Sequence, residues 1–471
     1  MDFSRTFISY LTEAAGEKNT RAALDALSGK ASVSVRLNPA KLKVPDTDTA
    51  SRIFGMQASP VPWSPYGFFL ESRPQFTLDP LMHAGCYYVQ DSSAMFVGNV
   101  FRQALRSMQI AHRPLRVLDL CAAPGGKTTD ILASLKMSWQ EPYILVSNEV
   151  MKQRAAVLSD NAGIWGDPYA VVTSADPKAF AGLEGFFDII VADVPCSGEG
   201  MFRKDEEAVA QWSADNVALC QARQRRIIAD VWPALAEGGM LIYSTCTFNR
   251  YENDINAEWI ASELGAEPFI FDADFPGIIK TDVGASLVPG LVPGEGQYCS
   301  ALVKTREKVN AESTYPHPAK QRSGRRTAAA PALSKDISSR IRGLLDIPVE
   351  VSLKGNTIIA VPESIAEDVH RLEYLRPLHR GTAVGEVKGK DIVPNADLAL
   401  SQILRMGAFR EAEVSREQAL AFLHKDTLSL PEAARGIVLL TYEGQPIGFV
   451  KNLGNRCNNL HPQDRRIRMN I

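Results

Sequence analysis

The pattern of apolar and polar positions divides the chain into regions of different character. Between residues 115 and 305, short uninterrupted apolar runs alternate with segments of helical periodicity. The runs predict strands at residues 116–120, 144–147, 170–173, 187–191 and 240–243. Strands that are apolar on both faces are typical of a parallel sheet covered by helices. This region is therefore predicted to be a doubly wound, Rossmann-like α/β domain.

Helical periodicity fills the intervals between these strands. Helices are predicted at residues 128–137 and 151–161. One face of a longer helix is marked by Val217, Cys220, Ile227, Ile228, Val231 and Leu235. Before this domain, residues 6–27 are predicted to be helical, and residues 34–39 form a short strand that ends at Pro39.

The composition changes after the α/β region. Between residues 306 and 342, Lys and Arg outnumber Asp and Glu by nine to three, and large apolar residues are rare. Residues 306–334 are therefore predicted to be a basic linker, and we expect deletion of the residues beyond about 306 to leave a folded core. Beyond the linker, strands are predicted at residues 349–353, 357–361 and 436–440, and a hairpin turn at 442–446.

The overall composition is that of an ordinary globular protein. With 471 residues, the chain is long enough for about two to four domains. The net charge of −3 excludes a uniformly basic protein, so any contact with nucleic acid must use a local basic patch.

Several functional classes are excluded by what the sequence lacks. The seven cysteines contain no C-x-x-C pair, so neither a disulfide framework nor a zinc finger is expected, and no metal is predicted. The start of the chain has no secretory pattern, and no apolar stretch approaches the roughly 18 residues that cross a bilayer. We expect a soluble cytoplasmic protein that does not contact membranes.

The first candidate for ligand binding is the turn after the first predicted strand. Leu118-Asp119-Leu120 leads into Cys121, Ala122, Ala123, Pro124, Gly125, Gly126 and Lys127. Small residues allow a ligand to approach the backbone, and the start of the next helix presents free N–H groups. The turn is not a P-loop, because the first glycine is missing, and it is not the G-x-G-x-x-G fingerprint of dinucleotide-binding proteins.

Two acidic residues follow the next strands. Glu149 ends the second strand, where a carboxylate suits a ribose diol, and Asp176 follows the third, where it could accept from an adenine amine. Each could also be a solvated strand-end acid. Their order along the sheet favours an adenosyl ligand at the carboxyl ends of the strands.

Two cysteines occur at equivalent positions on neighbouring strands. Cys196 lies in Asp193-Val194-Pro195-Cys196-Ser197-Gly198 after the fourth strand, and Cys246 lies in Ser244-Thr245-Cys246-Thr247 at the end of the fifth. A lone cysteine is usually a small buried residue, which is how we interpret Cys220. Two thiols facing one ligand crevice indicate chemistry instead.

Over roughly residues 30–305, these motifs resemble the Nop/Sun (Fmu) RNA cytosine-5 methyltransferases. The resemblance includes the glycine-containing turn, both cysteine motifs, the following Glu252-Asn253-Asp254, and an upstream motif from Pro80 to Ser93. The C-terminal third resembles the RNA-binding, PUA-like extension of bacterial members that act on small-subunit rRNA.

The resemblance implies S-adenosyl-L-methionine as cofactor and RNA, most simply small-subunit rRNA or the ribosomal subunit, as partner. Cys246 is then the nucleophile that adds to carbon 6 of cytosine, and Cys196 assists release. Asp193 would hold the N3–H edge of the base. The expected cofactor-binding residues are Cys121, Ala122, Ala123, Pro124, Gly125, Gly126, Lys127, Glu149, Asp176 and Asp193.

Other side chains could support these roles. Lys127 could supply positive potential near the thiol, and Arg154 is either a site residue or a surface charge. Tyr87, Tyr88 and Phe202 are candidates for base stacking. Near the C-terminus, Arg465, Arg466 and Arg468 could contact phosphates or form a solvated basic tail.

The same resemblance divides the chain into five parts. They are an RNA-binding or pre-catalytic segment (1–88), the methyltransferase domain (89–305), the basic linker (306–334), a small α/β module (335–395) and a PUA-like RNA-binding domain (396–471). Two departures from the family pattern occur. Gly290 stands where the family often has His before a Glu-Gly-Phe-Phe segment, which is Glu295-Gly296-Gln297-Tyr298 here, and Asn458 replaces a Lys.

Four alternatives remain at this point. A tRNA cytosine-5 methyltransferase would carry the same motifs, and a non-catalytic RNA-binding assembly factor could retain the fold, although both thiols argue against the latter. A DNA cytosine-5 methyltransferase uses the Pro-Cys thiol and needs no second one. A nicotinamide oxidoreductase lacks support because its glycine fingerprint is missing.

Overall fold

The structure is a computed structural model that describes residues 3–110, 112–305, 333–388 and 391–469. Its N-terminal part combines helices with a four-stranded antiparallel sheet of order β2-β3-β1-β4. The elements are α1 (Arg5–Ala15), α2 (Glu17–Leu27), β1 (Val33–Leu37), α3 (Thr47–Phe54), β2 (Ala58–Pro60), β3 (Gly67–Leu70), α4 (Pro80–His83) and β4 (Tyr87–Val89).

The helix predicted over residues 6–27 is two helices, which corrects the sequence interpretation. Gly16 separates them with φ of 83° and ψ of 153°, and its N–H donates to the carbonyl oxygen of Thr12. Glycine adopts a positive φ without the steric cost that a Cβ atom brings. The chain therefore turns at Gly16 although the apolar pattern continues through it.

The central part contains the predicted doubly wound sheet. Its elements are α5 (Met95–Ser107), β5 (Leu115–Asp119), α6 (Gly126–Ser138), β6 (Tyr143–Asn148), α7 (Lys152–Trp165), β7 (Ala170–Thr173), β8 (Phe187–Asp193), α8 (Glu206–Gln211), α9 (Ala214–Val231), β9 (Leu235–Thr245), α10 (Asp254–Leu264), β10 (Ala266–Pro268), β11 (Ile279–Lys280), β12 (Ala285–Leu287) and β13 (Gln297–Lys304). The strand order β7-β6-β5-β8-β9 is parallel throughout, and β13 is antiparallel to β9.

Burial on both faces explains why these strands are apolar throughout. Val117 and Leu145 pack in the layer that contains α5 and α6, whereas Leu118 and Val146 pack in the layer that contains α9. Each such fully buried side chain contributes about 1.5–3 kcal/mol relative to an exposed one. The Rossmann-like α/β class is thus confirmed. The chain order reverses at β5, so a ligand crevice is expected at the carboxyl ends of β5 and its neighbours.

One residue of the predicted helix face belongs to the next strand. Helix α9 ends at Val231, and Leu235 begins β9 after a single 3-10 turn that contains Pro233. Proline has no N–H to continue the helix, which accounts for the change of element. Leu235 is nevertheless buried, as the pattern indicated.

The C-terminal part forms two further four-stranded sheets, β14-β15-β17-β18 and β19-β20-β21-β22. Its elements are α11 (Lys335–Gly343), β14 (Val349–Lys354), β15 (Thr357–Pro362), α12 (Ala366–Leu372), β16 (His379–Arg380), β17 (Thr382–Lys388), β18 (Asp391–Pro394), α13 (Ala396–Leu400), β19 (Arg410–Glu413), α14 (Arg416–His424), β20 (Gly436–Tyr442), β21 (Gln445–Asn452) and β22 (Cys457–Asn459). Strand β16 pairs with β7 and so extends the central sheet.

The predicted hairpin joins β20 to β21. Glu443 and Gly444 have φ of 48° and 71°, and two such residues in succession are typical of the type I′ turns that suit a twisted hairpin. The basic linker predicted at 306–334 lies outside the described residues except for its last two positions.

The two ends of the chain share one hydrophobic core. Leu37 and Tyr87 of the N-terminal part pack in the same cluster as Phe422, Leu423 and Val438 of the C-terminal part. Removing everything after the linker would expose this apolar surface to water. The expectation of an independently folded core upstream of residue 306 is therefore revised.

Among the residues that the structure describes, no helix is both long and apolar enough to cross a membrane. Within the same residues there is also no group of three or more His, Cys, Asp and Glu side chains arranged to hold a metal ion.

Candidate active site

Two cysteine thiols meet at the carboxyl ends of neighbouring strands. Cys196 follows β8 and Cys246 follows β9, and these strands pair in parallel with Asp193 opposite Ser244. The two Sγ atoms are 3.3 Å apart, within the range of a hydrogen bond between thiols, and both cysteines are free. The sheet topology thus brings together the two thiols that the motifs singled out.

The two cysteine loops are joined directly to each other. The Gly200 N–H donates to the carbonyl oxygen of Cys246 at 2.7 Å, and the hydroxyls of Ser197 and Thr247 lie 3.2 Å apart. A Cβ atom added at Gly200 would stand 2.7 Å from that same carbonyl oxygen, so only glycine permits this approach. The loops therefore hold the thiols at a fixed separation.

Two buried carboxylates reinforce the connection. Glu199, in the Cys196 loop, accepts from the backbone N–H and the side-chain amide of Asn249, at 3.2 and 2.9 Å. Glu252 in turn accepts from the Ser197 N–H at 3.0 Å and from Gln224 Nε2 at 2.7 Å. Burial raises the pKa of Glu252 to about 7. The sequence analysis named Glu252 as part of a motif but assigned it no function. It assigned no function to Glu199 either.

A third acid, Asp193, is held by three donors. Its Oδ2 accepts from Lys127 Nζ at 2.8 Å, and its Oδ1 accepts from Ser244 Oγ at 2.9 Å and from Gln297 Nε2 at 3.1 Å. Lys127 follows the glycine turn, Ser244 belongs to β9 and Gln297 belongs to β13. The Asp193 carboxylate therefore connects three segments of the domain. Gln297 was noted from the sequence only as part of a divergent motif.

The charges of this cluster affect the thiols. Burial alone would lower the pKa of Lys127, but Asp193, together with Cys246 and Asp119, outweighs burial and the pKa is raised. Lys127 therefore stays charged, and its charge interacts favourably with a Cys246 thiolate. The hydrogen bond to Cys246 and then burial raise the pKa of Cys196 well above its usual value. Cys196 therefore keeps its proton.

The glycine turn lies between β5 and α6 and leads to Lys127, which contacts Asp193 beside the thiols. Gly125 has φ of 116°, and α6 begins at the next residue with its first N–H groups free of intrahelical partners. The Ala122 N–H donates to the carbonyl oxygen of Asn148 at 2.9 Å, which ties the turn to β6. Burial raises the pKa of Cys121 in this turn, so its thiol stays protonated and is a poor nucleophile.

Asp119, at the end of β5 beside the glycine turn, has one carboxylate oxygen without a hydrogen-bond partner among the described residues. Asp119 Oδ2 accepts from Thr128 Oγ1 at 2.6 Å, but Oδ1 is enclosed and accepts no hydrogen bond from the described residues. Burial raises the pKa of Asp119 to about 7. An enclosed polar atom without a partner is costly, and a ligand donor would satisfy it.

The two acids predicted to bind an adenosyl group follow adjacent strands, Glu149 after β6 and Asp176 after β7. Glu149 is buried at the end of β6, where its Oε1 accepts from the Met151 N–H at 3.0 Å and its Oε2 lies 3.1 Å from Arg154 Nη1. Arg154 is exposed, but it also donates to the carbonyl oxygen of Ala123 at 2.8 Å, so it connects Glu149 to the glycine turn. Asp176 is exposed and accepts from the Lys178 N–H at 3.0 Å.

Comparison with known proteins shows which family the chain belongs to. Three family models match it: 16S rRNA methyltransferase RsmB/F over residues 110–301, the N-terminal domain of 16S rRNA methyltransferase RsmF over 3–92, and the methyltransferase RsmF PUA domain over 409–467. Ribosomal RNA small subunit methyltransferase F of Cronobacter sakazakii is 31% identical over 459 residues, which cover 92% of this chain and 89% of that protein. The chain belongs to the ribosomal RNA small subunit methyltransferase F family.

A second curated relative and two solved structures are also similar to this chain. The methyltransferase F of Escherichia coli is 30% identical over 92% of this chain and 89% of its own length. Among solved structures, a methyltransferase homolog protein from Pyrococcus horikoshii superposes with a TM-score of 0.54 at 22% identity, covering 64% of this chain and 95% of that one. NSun6 from the same organism gives a TM-score of 0.51 at 16% identity, over 65% and 99% of the two chains. At such identities these structures establish the fold of the methyltransferase F domain alone.

The structure explains one of the two departures of this chain from the expected pattern. Gly290 has φ of 88°, and a Cβ atom there would lie 2.4 Å from the carbonyl oxygen of Ala22. Both the backbone angle and the contact with α2 require glycine at this position. The second departure, Asn458, is exposed on β22, and nothing in the structure explains it.

Two sets of residues include members that differ from their predicted placement. The Arg465 side chain is largely but not fully buried. Its Nη1 lies 2.8 Å from Asp397 Oδ1 and its Nη2 lies 3.1 Å from Asp160 Oδ1, so it connects α13 to α7. Arg466 and Arg468 are exposed as expected. Of the aromatic candidates for base stacking, Tyr87 and Phe202 are core residues, and Tyr88 is half-buried.

Proposed function

We propose that the protein transfers a methyl group from S-adenosyl-L-methionine to carbon 5 of a cytosine in small-subunit rRNA, through a covalent bond between Cys246 and carbon 6. The observation that carries this proposal is the 3.3 Å separation of the Cys196 and Cys246 sulfurs beside the Asp193–Lys127 pair. Two adjacent thiols match a reaction that needs one to form a bond and another to help break it.

The first step is attack by Cys246. Carbon 5 of cytosine is a weak nucleophile, and addition of a thiolate to carbon 6 makes it an enamine carbon. The Cys246 sulfur forms the bond to carbon 6, and the electron pair of the 5,6 double bond becomes available at carbon 5. Lys127 favours the attacking thiolate. The proton that the Cys246 thiol gives up passes to N3 of the base, and Asp193 accepts a hydrogen bond from the new N3–H.

Cys196 acts in the release step. Its proton is held in the free protein because its thiol is hydrogen-bonded to Cys246. Once bonded to carbon 6, the Cys246 sulfur is a thioether, so the hydrogen bond that chiefly raises the pKa of Cys196 is weakened. Cys196 then gives its proton to solvent, and the resulting thiolate takes the proton from carbon 5. The C–H electron pair reforms the double bond, and the bond from carbon 6 to Cys246 breaks.

The residues around the glycine turn fit the cofactor. S-adenosyl-L-methionine supplies an electrophilic methyl group. The turn from Cys121 to Lys127 leaves backbone close to the crevice, and the enclosed Asp119 oxygen needs a donor. Glu149 and Asp176 offer acceptors to a ribose diol and an adenine amine from adjacent strands.

Family membership supports rRNA as the substrate, and the target cytosine must leave its stack because the sulfur reaches carbon 6 from above the ring. Exposed Arg466 and Arg468 could contact phosphates. A tRNA substrate would use the same site, so the choice between the two RNAs is made by experiment.

The test measures methyl transfer from labelled S-adenosyl-L-methionine to small ribosomal subunits and to tRNA, followed by nucleoside analysis. We expect 5-methylcytidine in small-subunit rRNA, produced by the unmodified protein and by Cys220→Ala, whose thiol is buried on helix α9. Cys246→Ala should produce none while still binding the cofactor. Normal turnover by Cys246→Ala, or a labelled nucleoside other than 5-methylcytidine, would contradict the proposal.

A further inference from the structure

Gln297 is the first residue of β13 and lies at the edge of the site. Its side chain is almost fully buried, and β13 pairs with β9 so that the next residue, Tyr298, faces Thr245. Gln297 is therefore level with the end of β9, where Cys246 follows. Its Nε2 lies 3.1 Å from Asp193 Oδ1. In the resembling family this position lies in a Glu-Gly-Phe-Phe segment, so the amide is a feature of this chain.

The backbone before Gln297 is tightly fixed. The Glu295 N–H donates to the Asp91 carboxylate at 3.1 Å, and the Gly296 N–H donates to Ser93 Oγ at 3.2 Å. A Cβ atom at Gly296 would stand 2.2 Å from the Phe248 ring, which follows Cys246 in the chain. The amide is thus held in place relative to the Cys246 loop.

The hydrogen bond to Asp193 fixes which way the amide faces. An ionised carboxylate only accepts, so Nε2 must point at it, and Oε1 must point elsewhere. Among the residues that the structure describes, none donates to Gln297 Oε1. This oxygen therefore retains its full capacity to accept a hydrogen bond, next to the acid that we assign to N3 of the base.

Cytosine and uracil differ at the group beside N3. Both present an N3–H to Asp193 once the sulfur has added, but position 4 is an amino donor in cytosine and a carbonyl acceptor in uracil. An acceptor next to Asp193 complements the former and repels the latter. Building on the proposed function, we propose that Gln297 is a specificity-determining residue, whose Oε1 accepts from the 4-amino group and so selects cytosine over uracil.

The test uses small-subunit rRNA transcripts in which all cytidines are replaced by 5-fluorocytidine, or all uridines by 5-fluorouridine. Fluorine at carbon 5 cannot leave as a proton, so the bond from Cys246 to carbon 6 persists and denaturing gels count the adducts. We expect the unmodified protein to favour the cytidine analogue. Gln297→Leu should form that adduct about tenfold more slowly and lose about tenfold or more of the preference.

Gln297→Glu separates recognition from packing. It keeps an acceptor but places a second carboxylate beside Asp193, and like charges at this distance raise the pKa of one of the two. Adduct formation by Gln297→Glu should therefore recover as the pH is lowered, whereas Gln297→Leu should follow the pH profile of the unmodified protein.

The outcomes distinguish this inference from the proposed function. If the unmodified protein forms no adduct on the 5-fluorocytidine transcript, the proposed function itself is contradicted. If it forms the adduct and Gln297→Leu keeps the same preference for cytidine, Gln297 serves packing alone and the inference is overturned.

Discussion

The guanidinium of Arg36, on strand β1, donates to the carbonyl oxygen of Gly126 at 3.2 Å, at the point where helix α6 leaves the glycine turn. Arg36 also donates to Thr129 Oγ1 at 2.6 Å and lies 3.8 Å from an Asp130 carboxylate oxygen, with no exposed surface. The N-terminal sheet therefore helps to form the candidate cofactor site rather than only flanking it.

Replacing Arg36 should destabilise the whole protein. Arg36→Ala leaves Asp130 buried with one arginine fewer, and breaking a buried ion pair in this way costs about 3–5 kcal/mol. Arg52→Ala is the matched control, because its ion pair with Glu443 is solvent-exposed and should contribute at most about 1 kcal/mol. Urea unfolding measures both. Equal stabilities for the two variants would contradict the structural role of Arg36.

Gly200→Ala should displace the Cys246 loop. The new methyl group would stand 2.7 Å from the Cys246 carbonyl oxygen, and a misplacement of about 1 Å at a reacting atom can cost on the order of 10²-fold in rate. Gly198→Ala is the control, because a Cβ atom meets nothing within 4 Å there and only the φ of 81° is unfavourable. Methyl transfer should fall much further in Gly200→Ala. The reverse order of the two rates would be evidence against direct coupling of the two loops.

Glu149→Ala and Asp176→Ala should each weaken binding of S-adenosyl-L-methionine more than binding of RNA. A lost hydrogen bond to the ribose or the adenine costs about 1–3 kcal/mol of binding free energy. Asp282→Ala, at an exposed turn, serves as the control. Calorimetry gives the affinities, and unchanged cofactor affinity in both site variants would remove these acids from the cofactor site.

Asp119 should make stability depend on pH. Burial raises its pKa from 3.8 to about 7, so the native protein keeps a proton that the unfolded chain has already lost. The stability that this proton provides is present at low pH and is lost as the pH rises towards 7. Relative to the unmodified protein, Asp119→Asn should therefore show a smaller loss of unfolding free energy between pH 4.5 and about 7. Urea unfolding across this range checks the slope, and an identical slope in the two proteins would contradict the assignment.

Much of the fold follows from local pattern. The strands of the central sheet are predictable because a strand covered on both faces must be apolar throughout, and Val117 and Leu118 both meet that demand. The break at Gly16 is not visible in the pattern, because the apolar face continues across it. Leu235 has the right polarity for helix α9, and only Pro233 indicates that the helix has already ended.

The sheet topology and the sequence motifs predict part of the candidate site. Parallel strands end at one edge, so Cys196 and Cys246 were expected to lie near each other. The supporting groups were not, because Arg36, Glu199 and Gln297 act through buried polar contacts whose partners are distant in sequence. The prediction for Arg465 was wrong for the same physical reason, since its partner acids lie in α7 and α13.

The central claim, that Cys246 bonds to the base and Cys196 releases it, is tested most directly with Cys196→Ala. Without Cys196 the proton at carbon 5 is removed slowly, so the bond between Cys246 and carbon 6 accumulates. On a denaturing gel with labelled small-subunit rRNA, we predict a shifted, denaturant-resistant band for Cys196→Ala and none for the double variant with Cys246→Ala. A band that requires Cys196 and survives the loss of Cys246 would reverse the two roles and contradict the account.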